Sequence, residues 1–143
     1  MDRQQLLSDV KKGMELEFVP ENLRDREICE TAIRNCGSDL QYVPELLRDA
    51  TMCKRAVERC PAALEYVPEN RKTKALCKAS VEHDGSALKF VPKKLLTKDL
   101  CRIALANNAH ALEFVPETML DRGAIKAALM HIVRAIDYIM QDE

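Results

Sequence analysis

The chain has 143 residues, 47% of them hydrophobic and 31% charged, which is a composition for one folded domain and excludes a disordered polymer. A net charge of -1 gives no bulk attraction to nucleic acid or to an anionic membrane, so neither is an expected partner. Met1 to Lys12 carries charge throughout and has no apolar h-region, and no run approaches the roughly 18 apolar residues of a membrane span. The expected location is therefore cytoplasmic, in the protein's own cell or in a host cell after export without a cleaved signal.

Aromatic residues make up only 4% of the chain and Trp is absent, so the core has to come from Leu, Val, Ile, Ala, Cys and Met. Residues 1–15 predict a short N-terminal capping helix, with Leu6, Leu7 and Val10 on its apolar face and Gly13 ending it. Beyond it one phrase recurs every 24 residues without insertion: Leu16-Glu-Phe-Val-Pro20, Leu40-Gln-Tyr-Val-Pro44, Leu64-Glu-Tyr-Val-Pro68, Leu88-Lys-Phe-Val-Pro92 and Leu112-Glu-Phe-Val-Pro116. Regular self-similarity at such a period is the signature of a repeat architecture.

Within a repeat the proline drives the preceding Val out of the α region and starts a turn. At one position further along stand Asp25, Asp49, Thr73, Thr97 and Asp121, all residues that cap helix starts. A longer helix follows; in the first copy its apolar face is Ile28, Cys29, Ala32, Ile33 and Cys36. Gly37, Pro61 and Gly85 end the first three of these helices, and a shorter helical or 3₁₀ piece carries the next Leu-x-aromatic-Val. In the last copy the breakers disappear, with Val133 and Met140 in their places. Ile125, Ala128, Leu129, Ile132, Val133, Ile136, Ile139 and Met140 then form one stripe along a single long helix, expected over residues 122–141 as the C-terminal cap. The expected fold is all-α: one domain, 1–143, built as a right- or left-handed solenoid. Its repeats fall at 16–39, 40–63, 64–87, 88–111 and 112–135, with a capping helix at each end.

The phrase L-x-[FY]-V-P-E-x-L-x-D followed by an Ala- and Val-rich helix resembles a family of short helical repeats found in bacteria, protists and large viruses, catalogued as a domain of unknown function. The family's usual wording is Leu-x-Tyr-Ala-Ser-Glu-x-Leu before a helix ending near Asn-Gly. The likeness covers residues 16–135 and departs at Val-Pro and in the cysteine-rich core. It implies the fold and no active site, and, through members in intracellular bacteria, a relation to secreted effector proteins.

Six cysteines raise disulfides and metals as options. Cys29, Cys53, Cys77 and Cys101 recur at the 24-residue period, on helices expected about 8–10 Å apart, beyond the roughly 7 Å that a disulfide spans between Cα atoms. They read as reduced core residues, with Ile125 as their apolar counterpart in the last copy. Cys36 and Cys60 lie near helix ends, closer to water, and are the more reactive pair. His83 and His131 stand two repeats apart, so no zinc site is expected, nor any cofactor. No phosphate loop, nucleophile elbow or Cys-His arrangement occurs; Ser80 reads as a hydroxyl bonded to its own helix, His110 as a surface residue, and the protein as no enzyme.

Charge completes the reading. Glu17, Glu21, Glu45, Glu65, Glu69, Glu113 and Glu117 form an acidic row beside the proline turns, with Arg24, Arg48 and Lys72 as a parallel basic row. Pairs such as Glu30/Arg34, Lys54/Glu58 and Lys78/Glu82 are expected surface bridges. The fourth copy reverses the sign of the row with Lys89, Lys93 and Lys94. Together with Lys98 and with Leu96, which replaces a basic residue, they are the expected contact site for a protein partner. Such a partner fits a binding module; an immunity-type inhibitor of a toxin or enzyme, and a homo-oligomer joined by the C-terminal helix, are the other two readings.

Overall fold

Helix starts are set by the capping residues. In the computed structural model, which describes residues 2–141, the side chains of Asp25, Asp49, Thr73, Thr97 and Asp121 accept the backbone N–H groups of Ile28, Met52, Leu76, Leu100 and Ala124. Each satisfies one donor that the first helical turn leaves without a partner. The helices that follow are α2 (Arg26–Asn35), α3 (Ala50–Arg59), α4 (Lys74–His83), α5 (Lys98–Asn107) and α6 (Arg122–Gln141), preceded by α1 (Arg3–Lys11). No strand occurs among the described residues.

Between helices the chain runs through two 3₁₀ segments. After α2 these are Gly37–Tyr42 and Glu45–Leu47; after α3, Pro61–Tyr66 and Glu69–Arg71; after α4, Gly85–Phe90 and Lys93–Leu95; after α5, Ala109–Phe114 and Glu117–Met119. The Val-Pro step separates the two segments: Val43 is extended at φ -71° and ψ 132°, as the following proline ring requires.

The chain divides into two compact units, Met1–Lys72 and Thr73–Glu143. In the first, α1 packs on α2 and α2 on α3, and the 3₁₀ segments Gly37–Tyr42 and Pro61–Tyr66 pack on each other. Leu6, Leu16, Ile28, Ile33, Leu40, Met52 and Leu64 are sealed from solvent there. In the second, α4 packs on α5 and α5 on α6, over Val81, Leu88, Leu105 and Ala111. Cys29, Cys53, Cys77 and Cys101 are fully buried and unbridged in these cores.

Two glycines act differently from the expectation. Only Gly13, after α1, has a positive φ, at 109°. Gly37 and Gly85 have none, and are instead points of close approach. A Cβ on Gly37 would collide with the carbonyl oxygen of Ala56 and lie 2.9 Å from the Cys60 Cβ; one on Gly85 would collide with the Ala104 carbonyl and lie 3.2 Å from the Asn108 Cβ. The helix does not need them as left-handed terminators; the neighbouring helix needs their missing side chain.

The first copy begins with a shortened 3₁₀ turn, Leu16–Phe18, where the later copies have six residues. The Leu16 N–H finds its acceptor in the buried Asp39 carboxylate at 2.9 Å. Ala63, Ala87 and Ala111 occupy the same repeat position in copies that begin with the longer turn.

Candidate interaction surface

The basic cluster of the fourth copy lies on consecutive elements of the second unit. Lys89 belongs to the segment Gly85–Phe90, Lys93 and Lys94 open the next 3₁₀ turn, Leu96 follows it, and Lys98 begins α5. All four lysines are exposed and Leu96 is half-buried. The Lys89 ammonium sits over the rings of Phe90 and Phe114, at 4.9 and 5.9 Å from their centroids, so its charge is partly held by its own fold. A 160 Å³ depression beside α4 and α5 is lined by Lys74, Lys78, Leu95, Thr97, Asp99, Leu100 and Ile103 and includes none of the cluster.

The basic row of the first unit turns out to be structural. The Arg24 guanidinium donates to the carbonyls of Val19 (2.8 Å), Tyr42 (2.9 Å) and Glu17 (3.5 Å). Arg48 repeats the arrangement on Val43 (2.8 Å), Tyr66 (3.2 Å) and Gln41 (3.0 Å). Each therefore clamps the 3₁₀ segment of its own copy to that of the next, and Lys72 donates to Glu69 at 2.8 Å. The guanidinium's fixed fork of five donors makes this possible. Asn35 and Asn107 act similarly on the preceding copy, donating to the carbonyls of Val10 (2.6 Å) and Glu82 (3.1 Å). These roles were missed in sequence, where the same step after the prolines reads Arg24, Arg48, Lys72, Leu96 and Leu120.

Surface pairing also differs from the spacing argument at one place. Lys54–Glu58 (3.8 Å) and Lys78–Glu82 (3.7 Å) form as expected. Arg34 instead donates to the Glu30 backbone carbonyl and the Thr31 hydroxyl, while the Glu30 carboxylate meets Arg26 (3.1 Å) and Arg55 (3.6 Å). Glu30 is thus shared between its own helix, through Arg26, and the next, through Arg55.

The cysteines follow their burial. Desolvation pushes the Cys29 thiol up to about 11 and raises those of Cys53 and Cys101 as well, which makes them inert. Cys36 is exposed, and Cys60, half-buried, lies 3.4 Å from the Ser38 hydroxyl. Among the described residues no group of three or more His, Cys, Asp or Glu is placed to hold a metal, and no helix is long and apolar enough to cross a membrane.

The largest departure is at α6. Its expected stripe was to close the core; only Ala124 and Ala128 are buried. Ile125 is 51% exposed and Leu129 57%, although the residues at the same repeat positions, Cys29 and Ile33 on α2 or Cys101 and Leu105 on α5, are buried. Ile132, Val133, Ile136, Ile139 and Met140 are 46–66% exposed, and Leu112 beneath them 44%. The reason is positional: on α2, α4 and α5 this face is covered by the next helix of the same unit, α3, α5 and α6. α6 thus covers α5, while its own outward face is the apolar stripe. By contrast the outward residues of α1 are Gln4, Gln5, Lys11 and Lys12.

The family described as Domain of unknown function (DUF4116) matches residues 2–48, 25–72 and 73–120. These matches cover most of the chain, and the protein belongs to that family. The last two begin on the capping residues Asp25 and Thr73 and span 48 residues, two of the 24-residue units. No curated protein and no solved structure matches the chain.

Proposed function

We propose that the chain is a short α-solenoid of five 24-residue copies that works, without catalysis, as a protein-binding module docking through α6. The observation that carries this is the α6 stripe: apolar side chains about half exposed, among them Ile125, Leu129 and Ile139, whose counterparts are buried in every earlier copy. A continuous patch of this kind on a folded protein marks a contact surface. The non-catalytic part is supported by the polar residues themselves. Arg24 and Arg48 are occupied by carbonyls, the Asp and Thr caps by helix starts, and Asp39 by the Leu16 N–H.

The basic cluster Lys89, Lys93, Lys94, Leu96 and Lys98 supports a second contact, for an acidic protein surface, since all four of its lysines are exposed and Leu96 stands where Arg24 and Arg48 clamp their copies. The likeness to effector repeats makes the cytosol of a host cell one place for such a partner, and an immunity-type role is the same binding directed at a toxin. Capture of partners by the wild type, by Ile132→Glu with Ile136→Glu, and by Lys93→Glu with Lys94→Glu tests the reading. The α6 variant is expected to lose the partner. Equal recovery by all three removes both surfaces from the account.

A further inference from the structure

Resting on that reading of α6 as a docking face, we infer that its occupant is a second copy of the same chain, packed with its own α6 antiparallel about a two-fold axis near Ile132.

Three features of the helix point to this occupant. The first is register. A two-fold axis at Ile132 sets Ile125 of one copy opposite Ile139 of the other, and Leu129 beside Ile136, so the stripe faces itself along a helix about 30 Å long. The exposed stripe offers on the order of 700 Å² per copy, close to what one side of a standard interface buries.

The second is charge. Arg122 and Lys126 lie on the flank of the stripe turned away from the core, in the first turns of α6; Asp137 lies on the same flank near its end. In an antiparallel pair the same flank of both helices meets, and the chosen axis brings Lys126 to Asp137 of the other copy, twice. In a parallel two-fold pair the two Lys126 flanks fall on opposite sides of the interface, and the Lys126–Asp137 pairing is lost. The first turn of α6 has no acidic residue and its last turn no basic one, the reverse of what favours an isolated helix. An antiparallel neighbour offsets that arrangement, since its charges and its dipole run the other way.

The third is the helix α1. Head-to-tail assembly would place the α6 stripe on the outer face of α1 of another copy, and that face presents Gln4, Gln5, Lys11 and Lys12. Apolar surface would then meet amides and ammonium groups, which lose water without gaining a partner. Of α1 and α6, it is α6 that offers an apolar face to match the stripe.

Light scattering and sedimentation across a hundredfold range of concentration test the inference on the full chain. The expected species is twice the 16.2 kDa chain mass, dissociating on dilution. Ile132→Glu is expected to give a monomer with an unchanged helical circular dichroism spectrum. Lys126→Glu alone and Asp137→Lys alone each raise the dimer Kd about tenfold or more, because each brings like charges together; the double variant restores the wild-type value. A monomeric wild type at every concentration overturns the inference. So does a dimer indifferent to Ile132→Glu, or a double variant no tighter than the singles. If the wild type is monomeric while capture of another protein still depends on the stripe, the second copy is wrong and the docking face stands. If that capture is also indifferent, both fall.

Discussion

In the unit Met1–Lys72 the step after the proline turn holds Arg24 and then Arg48, each bound to three carbonyls; in Thr73–Glu143 the same step holds Leu96 and Leu120. The first unit ties its 3₁₀ segments together through main-chain acceptors, and the second has apolar side chains in that place, half-buried at Leu96 and 36% exposed at Leu120. Apolar exposure also accumulates toward the end of the second unit, at Leu112 and along α6, whereas α1 turns amides and charges outward. Equivalent positions in a repeat thus share a backbone but not a role.

The sharpest way to break this comparison is to truncate one repeat position in both settings. Ile33→Ala in the first unit removes a side chain that is 1% exposed and is expected to cost about 3 kcal/mol in denaturant unfolding. Leu129→Ala, at the same position on α6 and made in a chain already carrying Ile132→Glu to exclude self-association, is expected to cost less than about 0.5 kcal/mol. Equal losses would mean that α6 is covered after all.

Next in size are the close approaches. Gly37→Ala and Gly85→Ala are each expected to cost about 2 kcal/mol, since the new methyl group meets a backbone carbonyl that cannot turn aside. A neutral or stabilising outcome for either, as simple helix propensity would give, would show that the neighbouring helix yields.

Arg48→Leu imports the residue of the second unit into the first, and the loss of three carbonyl bonds is expected to cost about 1.5 kcal/mol. The reciprocal Leu96→Arg should gain less, because the Lys89 ammonium already lies near the two aromatic rings there. Thermal unfolding of both variants measures the difference.

The smallest effect concerns pH. Burial, chiefly, raises the Asp39 carboxyl above its ordinary value of 3.8, with Glu15 and Glu17 adding to it, against the Leu16 N–H that favours the charged form. A raised folded-state pKa means that this group favours folding most when protonated, so its contribution declines as pH rises through the acid range. Asp39→Asn keeps an acceptor for Leu16 and should gain stability at pH 7 relative to wild type, with the gain vanishing in acid. Asp121 has the opposite sign: the Arg102 bond and the Ala124 N–H hold its carboxyl low, so its contribution is present above pH 3.8 and is lost below it. Unfolding free energies of Asp39→Asn and Asp121→Asn between pH 3 and 7 should therefore slope apart.

The capping residues and the core cysteines were legible in sequence because each depends on its own turn and on the 24-residue period. The Arg24 and Arg48 clamps were not, because their acceptors are carbonyls, which carry no sequence signature, and Tyr42 and Tyr66 lie 18 residues further on. The Gly37 and Gly85 contacts escaped for the same reason: glycine at a helix end has a local explanation that happens not to be the one at work. For α6 the periodicity correctly picked out an apolar face, but periodicity says which side chains share a face and not whether anything lies against it.

Gly37 and Gly85 alternate with Pro61 and Ala109 at the same step of successive copies, so the side-chain-free contact returns every 48 residues, the span of a family match. Removing 48 residues from such a chain would preserve the alternation, whereas removing 24 would bring a glycine-spaced contact against a copy that carries proline or alanine there.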